Sequence, residues 1–236
     1  MLWWMIATIC AYISKGLTGL GDSLILTSML GFTNTNLDIS PVSMLLGSST
    51  NLIVLWDGRK TINWRFCLPL CAIVVAGSIP GALLLKNVDA RILKIIFGFV
   101  IIAVSLEMLF RRDNTKKPSP VFGGAIAIMA GLSCGMFGVG TMLGAYVARI
   151  IHDPKACKAN LCVIFAVETA VRFTTYLLSG ILTMNAVRQA LPLMPFVFIG
   201  LWIGMRVSKM LDEKKARTVV LVMLLASGIG LIINSL

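Results

Sequence analysis

Long apolar runs separated by short polar loops extend along the whole chain. A transmembrane helix needs about 20 apolar residues, and most of these runs approach or exceed that length. There are eight of them, at residues 2–30, 41–56, 64–85, 92–110, 121–151, 156–179, 190–207 and 218–233. The pattern predicts an all-α membrane protein that crosses the bilayer several times.

Glycine-rich motifs interrupt the first and the fifth run. They are GLTGLG at residues 16–21 and GMFGVG at residues 135–140. Glycine disfavours helix, so three glycines in six residues predict a break in each helix. Broken backbone at membrane depth is tolerated where it lines a wet cavity, and paired breaks indicate a transporter's binding site. Small residues that only allow close helix packing are the alternative explanation.

The two halves of the chain also carry matched positions. The three glycines of each motif align at one offset, and four later positions align at a second constant offset. Those four are Pro69, Gly77, Gly81 and Asp89, matched by Pro192, Gly200, Gly204 and Asp212. An internal duplication, the usual construction of secondary transporters, is therefore expected. It divides the chain into repeats of four segments at residues 1–112 and 120–236, joined by a polar loop at 113–119.

Loop charge distinguishes two membrane topologies. If both broken segments cross the bilayer, the loop Lys and Arg residues divide eight against eleven between its two sides. If both segments re-enter on the side from which they came, the division is fifteen against four. The positive-inside rule favours the re-entrant arrangement, which also makes the two repeats inverted.

Of the 21 Lys and Arg residues, nineteen are assigned to loops and to the segment edges beside them, and Lys15 and Arg172 are the two that remain. An ionisable group at membrane depth costs about 3 kcal/mol or more and usually faces a cavity or a charged partner. Glu168 lies four residues before Arg172, so a purely structural salt bridge is one interpretation. In the other, Arg172 offers its planar fork to an oxyanion, and Glu168 and Asp22 are coupling residues.

The expected site combines these charges with both glycine breaks and with nearby hydroxyl and amide groups. Half-helix N-termini at the breaks expose N–H groups that attract anions. The expected substrate-binding residues are Lys15, Gly16, Thr18, Gly19, Gly21, Ser23, Asn51, Gly135, Gly138, Gly140, Thr141 and Arg172, with Asp22 and Glu168 as coupling residues. A cation site stays open as an alternative, because unwound carbonyls bind Na⁺.

Composition argues against several functional classes. Hydrophobic residues make up 58% of the chain and charged residues 13%, which leaves no room for a sizeable soluble domain. The net charge of +11 is explained by basic loops, so we expect no nucleic-acid partner. The six cysteines form no CxxC pair and there is one histidine, so we expect no metal and no cofactor. Without HExxH or GxSxG motifs, we expect no enzyme.

The glycine motifs and their surroundings resemble the sulfite exporter TauE/SafE family. The resemblance covers nearly the whole chain. It rests on the first glycine motif, on SCGMFGVG at 133–140, on YVAR at 146–149 with residues 155–160, and on Gly200 and Gly204. It implies two repeats of four hydrophobic segments, and transport of sulfite, sulfoacetate or another sulfonate across a bacterial inner membrane. Family motifs often continue into a proline, whereas Asp22-Ser23 and Thr141-Met142 follow the glycines here.

Together these features predict a secondary transporter of small sulfur-containing or organic oxyanions, working by alternating access with proton or ion coupling. Its expected partners are the anionic substrate and the lipid bilayer. An ion channel, or a cation carrier that uses the same site, is the alternative. The sequence leaves open the exact substrate, the direction of transport, the coupling ion and homo-oligomerisation.

Overall fold

The computed structural model describes residues 2–18, 21–58, 61–89, 91–93, 95, 96, 99, 102, 120–151 and 153–208. All regular secondary structure within these ranges is helical. The helices are α1 (Leu2–Thr18), α2 (Asp22–Leu30), α3 (Asn36–Gly58), α4 (Trp64–Asn87), α5 (Pro120–Phe137), α6 (Thr141–Ile150), α7 (Pro154–Leu178) and α8 (Met184–Ser208). The expected last segment, the expected loop at 113–119 and most of the fourth segment lie outside the described residues.

Three of the helices are long and apolar enough to cross a bilayer. They are α4 over Trp64–Asn87, α7 over Ala159–Leu178 and α8 over Met184–Val207. Each also carries large apolar side chains on its exposed surface, as a lipid-facing helix does. The prediction of an all-α, multi-pass membrane protein is therefore confirmed for the described part of the chain.

Helix ends coincide with both glycine motifs. Helix α1 ends at Thr18 and α2 begins at Asp22, while α5 ends at Phe137 and α6 begins at Thr141. Gly138 has φ +73, in the left-handed region that glycine adopts readily. The Gly138 N–H donates to the carbonyl of residue 134 at 2.8 Å, so α5 ends in a left-handed cap.

Helices α1 and α2 fold back on one another. The indole N–H of Trp3, near the start of α1, donates to the carbonyl of Met29, near the end of α2, at 3.0 Å. A continuous helix would hold these two residues about 39 Å apart. The two helices therefore form an antiparallel hairpin, in which the start of α1 lies beside the end of α2.

Two helix pairs run parallel with their backbones in contact. In the α1–α8 pair, Gly200 lies beside Ile9, and Gly204 lies beside Gly16 further along both helices. A Cβ built on Gly204 would be 2.9 Å from the Gly16 Cα, so no side chain fits between them. Helices α4 and α5 meet in the same way, through Gly77 and Gly81 on α4. Each pair joins one helix of the first half of the chain to one of the second.

Helices α4 and α7 also run in the same direction. Near their starts, the Cys67 thiol lies 3.1 Å from the Asn160 side-chain oxygen. Near their ends, the Lys86 ammonium donates to the carbonyl of Ser179 at 2.7 Å. Helices α4, α5 and α7 are therefore all parallel.

Helix α3 runs with α1 and against α7. Lys15 near the end of α1 donates to Asn51 late in α3, at 3.0 Å. The start of α3 meets the end of α7 instead, because Ser40 and Tyr176 donate to adjacent carbonyls at the end of α5. Helices α1, α3 and α8 thus run one way, and α4, α5 and α7 run the other way.

Two apolar cores lie on either side of a polar middle layer. Helix α7 illustrates the arrangement, since Leu161, Val163 and Ile164 pack in one core and Tyr176 packs in the other. Residues 165–172 lie between these two stretches and include buried charges. The fold therefore positions the charged groups between the two cores.

Candidate functional site

A cavity of about 40 Å³ lies between the α1/α2 break and the α5/α6 break. The two breaks approach closely, because a Cβ built on Gly138 would be 3.0 Å from the Ser23 hydroxyl oxygen. Such a volume accommodates two or three water molecules or one compact ion. Nine predicted site residues line it, namely Lys15, Gly21, Asp22, Ser23, Asn51, Gly138, Gly140, Glu168 and Arg172.

Two of the other predicted site residues lie at helix contacts instead. Gly16 packs against Gly204 of α8, and Gly135 packs against the carbonyl of Ser78 on α4. These two glycines lie at helix contacts, which is the role that the packing explanation assigns to them. For Thr18, the last residue of α1, and Thr141, the first residue of α6, the structure describes the backbone only. Gly19 lies outside the described residues.

Lys15 is closely held within the first half of the chain. Its ammonium lies 2.7 Å from an Asp22 carboxylate oxygen and 3.0 Å from the Asn51 side-chain oxygen. It also lies 5.7 Å from the centre of the Tyr12 ring. Lys15 stands in the last turn of α1, where the helix dipole stabilises a cation. Its charge is therefore already compensated.

Arg172 lies farther from its carboxylate partner than Lys15 does, and it also lies 5.8 Å from the centre of the Tyr176 ring. Its Nη1 donates to the carbonyl of Cys134 at 2.6 Å, and its Nε lies 3.5 Å from a Glu168 carboxylate oxygen. That separation is too long for a strong hydrogen bond, and Nε has no hydrogen-bond partner among the described residues. The Arg172 side chain is only 5% exposed. A buried guanidinium with an unused donor is suited to bind an oxyanion.

Glu168 is buried and is shared between two helices. Its carboxylate oxygen accepts a hydrogen bond from the Ser78 hydroxyl of α4 at 2.9 Å. The same oxygen faces Arg172 one turn along α7. Only 3% of the Glu168 side chain is exposed, so Ser78, Arg172 and the cavity are the polar surroundings of its carboxyl group among the described residues.

Side chains satisfy the carbonyls at the end of α5. Three consecutive carbonyls, at residues 134, 135 and 136, accept bonds from Arg172, Tyr176 and Ser40 respectively. The negative, C-terminal end of the α5 dipole therefore faces the guanidinium group of Arg172. Because these carbonyls are already in use, they are poor candidates for ligands of a bound Na⁺.

Two half-helices begin at the cavity. Gly21 and Gly140, which precede α2 and α6, both line it, and neither N-terminus has a side-chain cap. Uncapped helix N-termini carry free N–H groups and a partial positive charge. Together with Arg172, they give the cavity donors that suit an anion.

Sequence reasoning missed several residues that line the cavity or support it. Phe165 and Thr169 line it on the same face of α7 as Glu168 and Arg172, and the helical period predicts this. Ser43 lines it on α3 and donates to Ser23 at 3.1 Å. Within the described ranges, no group of three or more His, Cys, Asp or Glu side chains is arranged to hold a metal ion.

Comparison with known proteins is consistent with this picture. The model of the family described as "Sulfite exporter TauE/SafE" matches residues 4–231. The "Probable membrane transporter protein YunE" of Bacillus subtilis (strain 168) is 23% identical over 246 residues, which cover 88% of this chain and 87% of that protein. No solved structure matches the chain. Since the family match extends over nearly its whole length, this protein belongs to the sulfite exporter TauE/SafE family of membrane transporters.

Proposed function

We propose that this protein is a secondary transporter of small sulfur-containing or organic oxyanions, such as sulfite, sulfoacetate or another sulfonate. It moves them across a bacterial inner membrane by alternating access, coupled to protons or another ion. The observation that carries the proposal is Arg172, a buried guanidinium with an unused donor beside a cavity between two helix breaks. Family membership supports the same activity.

The donors around the cavity support an anion as the substrate. The uncapped N-termini of α2 and α6 contribute backbone N–H groups. Ser23 of α2 adds a hydroxyl that accepts a hydrogen bond from Ser43 of α3 and keeps its own proton for the anion. A tetrahedral oxyanion has several acceptor atoms, and this arrangement offers donors from more than one direction.

The inverted duplication is part of the proposal. Residues 1–112 and 120–236 form two repeats, in which α1 corresponds to α5, α3 to α7 and α4 to α8. The members of each corresponding pair run in opposite directions, as two inverted repeats require. The α1/α2 hairpin, closed by the Trp3–Met29 bond, supports re-entry of the first segment. Alternating access then consists of rocking movements of these repeats about the cavity.

A cation carrier or channel is the second candidate. It is favoured by two carboxylates, Asp22 and Glu168, that line the cavity. Each carboxylate already has a basic partner, at 2.7 Å for Lys15 and 3.5 Å for Arg172. A bound cation would have to displace a buried basic group, so the anion is the better match.

Transport by purified protein in liposomes tests the proposal. The panel is sulfite, sulfoacetate, taurine, acetate and chloride, each with and without a proton gradient. We expect saturable flux of the sulfur oxyanions that depends on the gradient. Voltage-driven current without saturation would favour a channel instead. Absence of flux for every anion, from protein shown to be folded, would contradict the proposed function.

Replacement of Arg172 tests the site. Arg172→Ala should lower oxyanion flux by about 10- to 100-fold, since a hydrogen bond to a charged group contributes about 1.5–3 kcal/mol. Arg172→Lys keeps the charge but loses the planar, bidentate donor geometry of the guanidinium group. Its flux should therefore lie between those of Arg172→Ala and the wild-type protein. Arg188→Ala, at an exposed position of α8, is the matched control and should transport normally. Near-normal flux in Arg172→Ala would assign Arg172 a purely structural role.

A further inference from the structure

The two buried ion pairs beside the cavity differ in how tightly they are closed. Lys15 and Asp22 lie 2.7 Å apart, and Asn51 supports the pair. Arg172 and Glu168 lie 3.5 Å apart, and the Arg172 Nε donates to no group among the described residues. The second pair therefore includes a buried donor that a substrate can engage, so the two pairs are suited to different tasks.

Ser78 gives Glu168 a partner in either protonation state. Its hydroxyl donates to the Glu168 carboxylate at 2.9 Å. A hydroxyl can also rotate and accept a hydrogen bond from a protonated carboxyl group. Ser78 lies in the close contact between α4 and α5, where its carbonyl packs against Gly135, so its backbone position is fixed. A protonated Glu168 therefore keeps a hydrogen-bond partner in Ser78.

The charge balance of the cavity requires a companion for each anion. Lys15 and Arg172 balance Asp22 and Glu168 among the described lining residues, so the formal charge is zero. Among the residues that the structure describes, the other titratable groups near the cavity are Tyr12 of α1, Cys134 of α5 and Tyr176 of α7, while the lining residues of α3 and the neighbouring Ser78 of α4 are uncharged. An anion that entered alone would leave one uncompensated buried charge, which is costly.

We propose that Glu168 takes up one proton for each singly charged anion that the protein carries, and that Ser78 is the residue that positions it. This inference rests on the proposed function and assigns the coupling role to Glu168 rather than to Asp22. A proton from the aqueous phase adds to a carboxylate oxygen of Glu168. Arg172 loses its counter-ion and pairs with the anion instead. Both are released on the other side, and no bond within the anion is made or broken.

Methanesulfonate flux into liposomes is the test, because this sulfonate keeps a single charge across the neutral pH range. For the wild-type protein, flux should rise on acidification by up to about tenfold per pH unit, the limit for one proton. It should not respond to an imposed membrane potential, since anion and proton together carry no net charge.

Glu168→Gln is the decisive variant, because it imitates the protonated residue. Its methanesulfonate flux should no longer depend on pH and should respond to membrane potential. One uncompensated charge corresponds to an accumulation of about 50-fold per 100 mV. Asp22→Asn should keep the pH dependence of the wild-type protein even where its flux is lower.

Ser78→Ala tests the positioning role without removing a charge. Loss of a donor to the ionised carboxylate should move the pH of half-maximal flux upward by about one unit. The control is Thr174→Ala, which removes a hydroxyl from the exposed face of α7 and should leave that pH unchanged. A purely structural role of Ser78 would lower flux at all pH values without moving the profile.

The outcomes separate this inference from the function on which it rests. Wild-type flux that moves one negative charge per anion and ignores pH would overturn the proton-coupling role while leaving anion transport in place. The same holds if Asp22→Asn, rather than Glu168→Gln, abolishes the pH dependence. Absence of anion flux from the folded wild-type protein would overturn both. Gel filtration and thermal unfolding establish whether each variant is folded. If Glu168→Gln does not fold, the pH profile of Ser78→Ala tests the proton-coupling role instead.

Discussion

Gly138 offers a sharp test of the site, because the chain contains a matched control for it. Gly138 and Gly180 both have left-handed backbones, with φ of +73 and +72. A Cβ on Gly138 would lie 2.8 Å from the Arg172 Nη1 atom, whereas one on Gly180 would meet nothing within 4 Å. Alanine is therefore strained by the left-handed backbone at both positions, but only at Gly138 does its methyl group also collide with Arg172.

The two costs can be compared directly. Alanine in the left-handed region costs about 1–2 kcal/mol, and this applies to both variants. At Gly138 the new methyl group also pushes Arg172 away from the Cys134 carbonyl, to which it donates at 2.6 Å. Loss of that charged hydrogen bond adds about 1.5–3 kcal/mol. Gly138→Ala should therefore destabilise the protein by about 2.5–5 kcal/mol in total, by adding the two ranges.

Thermal unfolding in detergent and anion flux in liposomes measure the two effects. Gly180→Ala should unfold slightly earlier than the wild-type protein and transport at nearly the wild-type rate. Gly138→Ala should lose at least about tenfold in flux, because each 1.4 kcal/mol of lost substrate binding corresponds to a factor of ten. Equal flux in the two variants would refute the reasoning, since it would mean that displacing Arg172 has no effect on transport.

Three further predictions address the fold. Gly81→Ala should lower the unfolding temperature markedly, because its methyl group would overlap the backbone of α5, whereas Gly124→Ala has open space around it and should behave like the wild-type protein. Asn160→Ala should cost about 1–3 kcal/mol, because this buried amide joins α7 to the loop before α4; an unchanged unfolding temperature would contradict that role. Single cysteines at Leu2 and Asn34 should react with an impermeant thiol reagent from the same side of the membrane, and labelling from opposite sides would exclude the hairpin.

The helix breaks and the buried charges were the parts of the site that the sequence could predict. A membrane penalises both glycine clusters and ionisable residues, so their presence in apolar runs is informative without any structure. Arg172 and Glu168 were recognisable from their spacing alone. The same argument identified Lys15, although its close pairing with Asp22 became visible only in three dimensions.

The sequence could not predict which glycines pack against a helix and which line the cavity. Gly16 and Gly138 occupy similar motifs, yet the first packs against a helix from the other end of the chain and the second borders the cavity. Which of these happens depends on the partner helix, and the motif does not specify that partner. Ser78 escaped prediction for a related reason, because serine is common in membrane helices and its bond to Glu168 joins residues far apart in sequence.

The parallel contact between α1 and α8 has a consequence for how the protein is made. Ribosomes release the chain from its N-terminus, so α1 enters the membrane long before its partner exists. Until α8 arrives, the groove around Gly16 that receives Gly204 has nothing to fill it. Because α8 begins only at Met184, this groove remains open through most of the synthesis of the chain. Helix α1 is thus inserted long before its packing is complete, and a chain that stops before α8 leaves Gly16 without the backbone that packs against it.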